Sequence, residues 1–439
     1  MSNKSKSLSQ EGQVDGQVES QAGSKPQQMR WWVLFGLWLL YVSFGLLAVS
    51  IAPMVGLIQE DLSLSHASMG SVMGAWQFVY IFSAIPCGVL LDKLGGRRAL
   101  IIGILLVALS GLSRAAAVDY WTFLLAVMVF GLGGPIISSG APKVVAELFS
   151  GSDRGLAMGI YMTGPGIGGV ICLTLTHAVL LPMFDMQWRG VMALWTGVAL
   201  VCMLVWVVIG YIAQLDQVKP ADANLPTSEN LFVSQWHQMS ELLSQRSVQL
   251  VLCMSVGVFM FNHGLNNWLP EMLMAGGIQA VHAGFWAALP TVVGILGSLL
   301  IPRLATPQRR FKILALLCVA AFVATLCLHA TDGISLSTGL VLQGIARSSM
   351  MTVLILTLVE LPGIGDKKAG IASGMFFSAA EIGGVLGPFG MGVVFDLTGG
   401  FAWALIFLSG VAFLLFLGSL GLGKLSTSAN PRQTPDTTL

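Results

Sequence analysis

Long apolar stretches alternate with short polar breaks along most of the chain. A helix that crosses the hydrocarbon core of a bilayer needs roughly 20 mostly apolar residues, and the apolar stretches reach or approach that length. The pattern predicts an all-α integral membrane protein with twelve transmembrane helices. They are expected at residues 31–53, 67–91, 99–117, 120–142, 155–182, 190–213, 247–269, 281–302, 313–330, 336–359, 370–394 and 401–421.

Polar segments flank and divide this helical region. Residues 1–30 are rich in Ser and Gln and lack apolar periodicity, which is typical of a disordered tail. Residues 214–245 contain two prolines and form the longest polar break, so we expect a linker between two six-helix halves, residues 31–213 and 246–421. Residues 422–439 are predicted to be a second tail. Both tails and the linker are expected on the cytoplasmic side.

Part of the linker has a helical pattern of its own. Phe232, Trp236, Met239 and Leu243 recur at helical spacing. This spacing predicts an amphipathic helix that lies at the membrane surface.

The composition agrees with lipid as the solvent of this chain. Hydrophobic residues make up 55% of the 439 residues and charged residues only 10%, against about 25% charged residues in an ordinary soluble domain. Mean hydropathy is +0.80. The 22 Lys and Arg residues balance 21 Asp and Glu residues, so no basic field is available for nucleic acid. The sequence contains no GxxxxGK(S/T) loop and no metal-ligand spacing, and we expect no cofactor and no enzymatic activity.

The few charges are strongly biased to one side of the predicted topology. With a cytoplasmic N-terminus, 19 of the 22 basic residues fall in cytoplasmic segments, as the positive-inside rule requires. The exceptions are Arg114, Arg189 and Arg347. Both termini are therefore predicted to be cytoplasmic, and the short loops on the other side suit a bacterial inner membrane. We expect the protein to be a monomer.

The sequence repeats itself at an offset of 215 residues. Residues 155–170 and 370–385 share seven identities, among them Gly155/Gly370 and Gly168/Gly383. Upstream, Gly134 precedes Ser138 and Ser139 at the same spacing at which Gly344 precedes Ser348 and Ser349. Two pseudo-symmetric halves are the architecture of secondary transporters, which bind their substrate at the midplane between the halves.

The segment that starts at Gly88 (GVLLDKLGGRRAL) carries a family resemblance. It resembles the signature G-x-L-a-D-r-x-G-r-(R/K) of the major facilitator superfamily, which lies between the second and third helices. The resemblance implies the twelve-helix fold of that family, transport by alternating access, and a latch that holds one conformation of the cycle. The latch would comprise Gly88, Asp92, Gly95, Arg97, Arg98 and Arg154. The alternative is a plain positive-inside loop.

Two smaller resemblances concern the branch within the family. The segment around Arg114 (LSRAA) is similar to the cyanate and nitroimidazole permease branch. The segment that starts at Gly164 (GPGIGG) partly matches a glycine motif of antiporters, which leaves efflux open. Arg114 itself is expected to form a pair with Asp119 at the outer rim.

Two ionisable residues fall near the middle of predicted helices. Ionisable groups at this depth are costly and are therefore candidates for function. Arg347 is predicted to bind an anionic or polar substrate and Glu381 to carry a coupling proton. The alternative is a structural salt bridge between Arg347 and Glu381.

Polar side chains of other predicted helices complete the candidate site. Asn262 and Asn266 share one helix face, as do His263 and Asn267, although the same group could be a solvated helix end near Pro270. The predicted substrate-binding set is Arg347, Asn262, His263, Asn266, Asn267, Ser138, Ser139, Tyr41, Gln77, Tyr80 and Gln343.

These observations predict a secondary active transporter for a small organic anion or polar solute, coupled to protons. Proton-driven efflux of drugs or metabolites is the first alternative. A membrane receptor or scaffold that uses the same fold without transport is the second.

Overall fold

The computed structural model describes residues 27–213, 238–361 and 364–429. These residues are helical apart from short connections and contain no β-strand. In chain order, the main α-helices are α1 (Gln27–Val49), α2 (Val55–Leu62), α3 (His66–Ala115), α4 (Tyr120–Leu148), α5 (Gly151–Met162), α6 (Gly164–Leu175), α7 (Leu181–Met183), α8 (Trp188–Ile212), α9 (Arg246–Ala275), α10 (Ala280–Leu304), α11 (Arg310–Cys327), α12 (Gly333–Val359), α13 (Gly365–Thr398) and α14 (Phe401–Ala429).

Within the described ranges, eleven helical segments are long and apolar enough to cross a membrane. One of them, α3, has 50 residues and is interrupted at Gly95, whose backbone angles (φ 77°, ψ 160°) are not helical. A positive φ of this kind favours glycine, which has no Cβ to clash with the backbone. The predicted helices 67–91 and 99–117 lie on either side of Gly95.

The ends of the helical region differ from the predicted boundaries. Helix α1 begins at Gln27, inside the segment predicted to be a tail, and α14 continues to Ala429, beyond the predicted end at residue 421. Both extensions mix polar with apolar residues, so the hydrophobic pattern did not include them. Residues 1–26 and 430–439 of the predicted tails lie outside the described residues.

The structure describes only the C-terminal end of the predicted linker. Residues 238–243 are helical, while Phe232 and Trp236 lie outside the described residues. Leu242 is fully buried and Leu243 is 42% exposed, and a membrane-surface position for the face with Leu243 stays a prediction. The preceding residue Glu241 forms an ion pair with Lys368 at the start of α13 (2.7 Å).

Side-chain contacts define two opposite faces of the molecule. At the terminal face, where α1 begins and α4 ends, Arg30 donates to the carbonyl of Leu148 (3.5 Å), and Arg310 pairs with Glu360 (2.5 Å). At the far face, Asp61 pairs with Arg189. Between the faces, many large apolar side chains are exposed, among them Phe82, Ile85 and Leu414. A surface of this kind suits contact with lipid.

Glycines at matching repeat positions have matching environments. A Cβ at Gly168 of α6 would overlap the carbonyl oxygen of Val42 in α1, and a Cβ at Gly383 of α13 would overlap that of Val256 in α9. The two helix pairs therefore pack through equivalent close backbone contacts, for which a residue without Cβ is required. Gly159 and Gly374, also a repeat pair, both face open space.

Candidate functional site

The molecule is closed at its far face. There α3 begins and α13 ends, and the backbones approach so closely that a Cβ at Gly70 would overlap the carbonyl of Pro388. The Asp396 carboxylate accepts hydrogen bonds from the backbone amides of His66 (3.0 Å) and Ala67 (2.8 Å). A carboxylate at a helix N-terminus satisfies free amides and interacts favourably with the helix dipole. This contact fixes α13 to α3 at the far face.

The terminal-face ends of the same helices are apart. A Cβ at Gly88 of α3, or at Gly370 or Gly374 of α13, would meet no heavy atom of the described structure within 4 Å. The same holds for Gly155 and Gly159 of α5. The structure is therefore closed at the far face and open at the terminal face.

Arg347 lies at the middle of α12 and is half-buried. Its guanidinium donates to Asn266 Oδ1 of α9 (2.5 Å) and to Thr291 Oγ1 of α10 (3.0 Å). Within the described ranges no carboxylate, including that of Glu381, lies at salt-bridge distance from the guanidinium. Neutral amide and hydroxyl groups therefore orient the guanidinium and leave its charge available to a ligand.

Thr291 is not among the site residues predicted from the sequence. It is one of two hydroxyl residues in the apolar segment 281–302, the other being Ser298, and such residues more often bond to their own helix backbone. Its position next to Arg347 depends on how α10 packs against α12, which the hydrophobic pattern does not show.

Glu381, Gln77 and His263 form a second group at the centre of the molecule. Gln77 Nε2 lies 3.1 Å from His263 Nδ1, which links α3 to α9. Glu381 Oε2 and Gln77 Cγ both lie within 3.0 Å of the point where a Cβ of Gly384 would stand, so α13 brings the carboxyl group against Gln77. His263 is one helical turn from Asn266, and the two groups form one polar layer across α3, α9, α10, α12 and α13.

Tyr41 and Tyr80 form hydrogen bonds to α4 at and next to Ser138, on the other side of this layer. The Tyr41 hydroxyl donates to the carbonyl of Ile137 (3.0 Å). The hydroxyls of Tyr80 and Ser138 are 2.8 Å apart. These contacts join α1 and α3 to α4. Ser139, the neighbour of Ser138, is exposed.

The remaining predicted site residues differ in what they can offer a ligand. Asn267 is buried, and its amide donates to the carbonyl of His263 in its own helix (2.8 Å). Asn262 is half-buried. Gln343 is fully buried one turn before Arg347, and neither polar atom of its amide has a hydrogen-bond partner among the described residues. The binding roles of these residues stay predictions.

Three of the predicted latch residues form polar contacts around the loop after the first part of α3. Asp92 forms an ion pair with Lys143 of α4 (2.7 Å), and Arg154 donates to the carbonyl of Ala146 (2.8 Å). Arg97 donates to the carbonyl of Val207 in α8 (3.4 Å). These bonds stay among helices α3 to α8, while α13 is apart from them at this face. A latch role for the loop stays a prediction.

Arg114 is placed differently from the sequence-based expectation. It is only 1% exposed and donates to the carbonyl of Leu47 (3.0 Å), with its guanidinium 5.1 Å from the ring centroid of Phe130. Asp119 instead caps α4 by accepting from Thr122 N (2.8 Å), and these bonds lower the pKa of its carboxyl group. The expected rim pair of Arg114 and Asp119 is therefore wrong, because the Asp119 carboxylate is bonded as the N-cap of α4.

Comparison with known proteins adds a family match. The family model of the Major Facilitator Superfamily matches residues 34–388. Among curated relatives, the uncharacterized transporter YycB of Bacillus subtilis is 23% identical over 89% of this chain and 93% of that protein. The probable galactarate/D-glucarate transporter GudP of Escherichia coli is 24% identical over 92% of this chain and 96% of that protein.

A third relative and a solved structure complete the comparison. The quinolone resistance transporter of Acinetobacter baumannii is 24% identical over 80% of this chain and 83% of that protein. A crystal structure of the nucleoside transporter NupG, solved as a point mutant, superposes with a TM-score of 0.74 at 15% identity, and covers 89% of this chain and 99% of that chain. At this sequence identity, the similarity shows a shared fold.

Proposed function

The chain belongs to the Major Facilitator Superfamily, and from this premise we propose that it is a secondary active transporter of small organic anions. The observation that carries the proposal is Arg347. It is a half-buried cation at the middle of the molecule, held by Asn266 and Thr291. A cation at membrane depth is energetically costly, so its presence there indicates a function. The function that suits its charge is the binding of a negatively charged group.

The proposed topology has twelve crossings and cytoplasmic termini. A 50-residue helix such as α3 is about 75 Å long at 1.5 Å per residue, whereas the hydrocarbon core is roughly 30 Å thick. It therefore accounts for two crossings separated at Gly95. The terminal face carries most of the basic residues, so it faces the cytoplasm of a bacterial cell, with residues 31–213 and 246–421 as the two moving halves.

The substrate we favour is a sugar acid. Galactarate and D-glucarate are named as the substrates of GudP, a relative over most of the chain. Such molecules combine carboxylates with several hydroxyl groups. Arg347 suits a carboxylate because its guanidinium forms two parallel hydrogen bonds, while Asn262, Asn266 and His263 suit hydroxyl groups. The resemblance of the Arg114 segment to the cyanate and nitroimidazole branch is a narrower proposal that also implies a small solute.

Proton coupling is assigned to Glu381. It is 6% exposed, and in the described part of the chain no cation pairs with it. A buried carboxyl group without a fixed cation can exist in either protonation state during a cycle, which is what a proton carrier requires.

Efflux by proton antiport is the second candidate. It is supported by the relative named as a quinolone resistance transporter and by the segment that starts at Gly164. In that case the open site would prefer lipophilic cations, which a fixed guanidinium disfavours. Arg347 is the reason that the anion proposal ranks first.

Binding of D-glucarate by the purified protein tests the proposal. Arg347→Gln should weaken binding at least about 30-fold, because loss of a desolvated charge partner costs about 2 kcal/mol or more. Arg189→Gln at the far face is the matched control and should bind like the wild type. Equal affinity in wild type and Arg347→Gln would overturn the anion site. A preference for quinolones over sugar acids would favour the efflux candidate.

A further inference from the structure

Two buried oxygen atoms at the centre of the molecule have no hydrogen-bond donor. Glu381 Oε2 and Gln77 Oε1 are both buried and both lack a partner among the described residues. Both side chains border the space beside Gly384, where a Cβ would lie 2.9 Å from Glu381 Oε2 and 3.0 Å from Gln77 Cγ. A buried polar atom without a partner is costly, and two such atoms on adjoining side chains call for a common explanation.

One proton on Glu381 satisfies both oxygens. An ionised carboxylate and an amide oxygen are both acceptors, so neither can bond the other. Once Glu381 is protonated, its hydroxyl can donate to Gln77 Oε1. Gln77 Nε2 then keeps its position toward His263 Nδ1, as observed at 3.1 Å. With the Gln77 amide oriented in this way, the arrangement fits the protonated carboxyl group.

This arrangement also determines the tautomer of His263. Because Gln77 Nε2 donates, Nδ1 must accept, and a neutral imidazole then carries its proton on Nε2. Nε2 bonds no residue in the described part of the chain and is not among the buried atoms without a partner, so it is accessible to a ligand. It is a hydrogen-bond donor suited to an anion beside Arg347.

Loss of the proton from Glu381 exchanges donor and acceptor in each of these hydrogen bonds. With Glu381 ionised, the Gln77 amide rotates so that Nε2 donates to the carboxylate and Oε1 turns toward His263. Nδ1 must then carry the imidazole proton, which moves there from Nε2 through water, and Nε2 becomes an acceptor. One proton leaves Glu381, and the imidazole keeps one proton throughout. An acceptor at Nε2 repels an anion that a donor would bind.

We propose that Gln77 is the residue that couples the proton to the substrate, by converting the protonation state of Glu381 into the donor or acceptor state of His263 Nε2. The inference rests on the proposed anion site at Arg347 and extends it. It predicts that proton and anion bind together, as in symport. By linkage, each then strengthens the binding of the other.

The charged and titratable groups around this path come from four helices. Tyr80 of α3 lies within electrostatic range of Glu381 of α13. Arg347 of α12 lies within electrostatic range of His263 of α9. The proposed switch changes only the orientation of the Gln77 amide and the position of the imidazole proton.

The first test measures D-glucarate affinity at two pH values, both above the range in which its own carboxyl groups titrate. Wild-type affinity should fall as pH rises, by up to about tenfold per pH unit for one linked proton. Gln77→Met, which keeps the volume and removes the amide, should bind with the same affinity at both pH values. Gln59→Met, a half-buried glutamine at the far face outside the proposed site, is the control and should retain the pH dependence. Glu381→Gln, whose amide can donate to Gln77 permanently, should also be independent of pH.

The second test observes the tautomer itself by nitrogen NMR of labelled histidine. The signal of His263, assigned by its loss in His263→Gln, should report a proton on Nε2 at low pH and in Glu381→Gln. In the wild type at high pH it should report a proton on Nδ1. This test does not depend on the stability of Gln77→Met.

The outcomes separate the two proposals. Retention of full pH dependence in Gln77→Met, or one unchanged tautomer at both pH values, overturns the coupling role even if Arg347→Gln has lost binding. Wild-type affinity in Arg347→Gln overturns the anion site instead.

Discussion

Two arginines lie at membrane depth, and their surroundings separate a packing role from a binding role. Arg347 is half-buried and its guanidinium is held by side chains that can exchange partners. Arg114 is almost completely buried between the carbonyl of Leu47 and the ring of Phe130. No ligand can reach Arg114 without opening the helix packing, so its charge serves the contact between α3 and α1.

Replacement of Arg114 tests this distinction. Among the residues that the structure describes, no carboxylate pairs with it, so its charge is desolvated without full compensation. Arg114→Met removes the charge and keeps most of the volume, and we expect thermal unfolding of the purified protein at an equal or higher temperature. Arg114→Ala should unfold at a lower temperature, because it leaves a cavity. A lower unfolding temperature in Arg114→Met would show that the charge itself stabilises the packing.

The residues of the site could be found in the sequence, but their partners could not. Arg347 and Glu381 are conspicuous in apolar segments, and Gln77 and His263 are polar residues in the same setting. Whether Glu381 faces Arg347 or Gln77 depends on the rotation of α13, which one sequence does not fix. The same reason explains why Asp119 was expected to pair with Arg114 and instead caps α4.

At the level of elements, two glycines of α13 differ in what surrounds them. Gly383→Ala should destabilise the protein by about 1–3 kcal/mol, because a Cβ there overlaps the backbone of Val256 and α13 must move away from α9. Gly374→Ala on the same helix meets nothing within 4 Å and should be neutral or stabilising, since Ala is a better helix former. Thermal unfolding of both variants makes the comparison, and equal effects would contradict the assigned packing.

The prediction of elements succeeded where hydrophobic length decides and was less exact at the ends. Apolar length placed each predicted helix over an observed helical segment, although some predicted ends, such as residues 53 and 330, lie beyond the observed ends at Val49 and Cys327. It could not show that α1 begins at Gln27 or that α14 reaches Ala429, since polar residues there continue the helix beyond the apolar stretch. Nor could it show that both predicted helices around Gly95 form one interrupted element.

At the scale of the whole molecule, the two ends of α3 and α13 are in opposite states. Gly70 and Gly392 make close backbone contacts at the far face, whereas Gly88 and Gly374 have open space at the terminal face. A transporter with alternating access must at some point separate the first pair of ends and bring the second together. The small residues at the terminal face would then permit the approach that Gly70 permits now.

A large side chain at Gly374 should therefore stop the cycle in the present state. Gly374→Phe should still bind D-glucarate, because the change is remote from Arg347, but counterflow in proteoliposomes should fall to background. Spin labels at Val118 and Leu397, both exposed at the far face, should keep the same distance with and without substrate. Gly410→Phe on α14 is the matched control, since Gly410 also has no heavy atom within 4 Å and is exposed on the outer surface. It should transport normally. Normal counterflow in Gly374→Phe would show that the terminal face closes without the approach of α13 at this glycine.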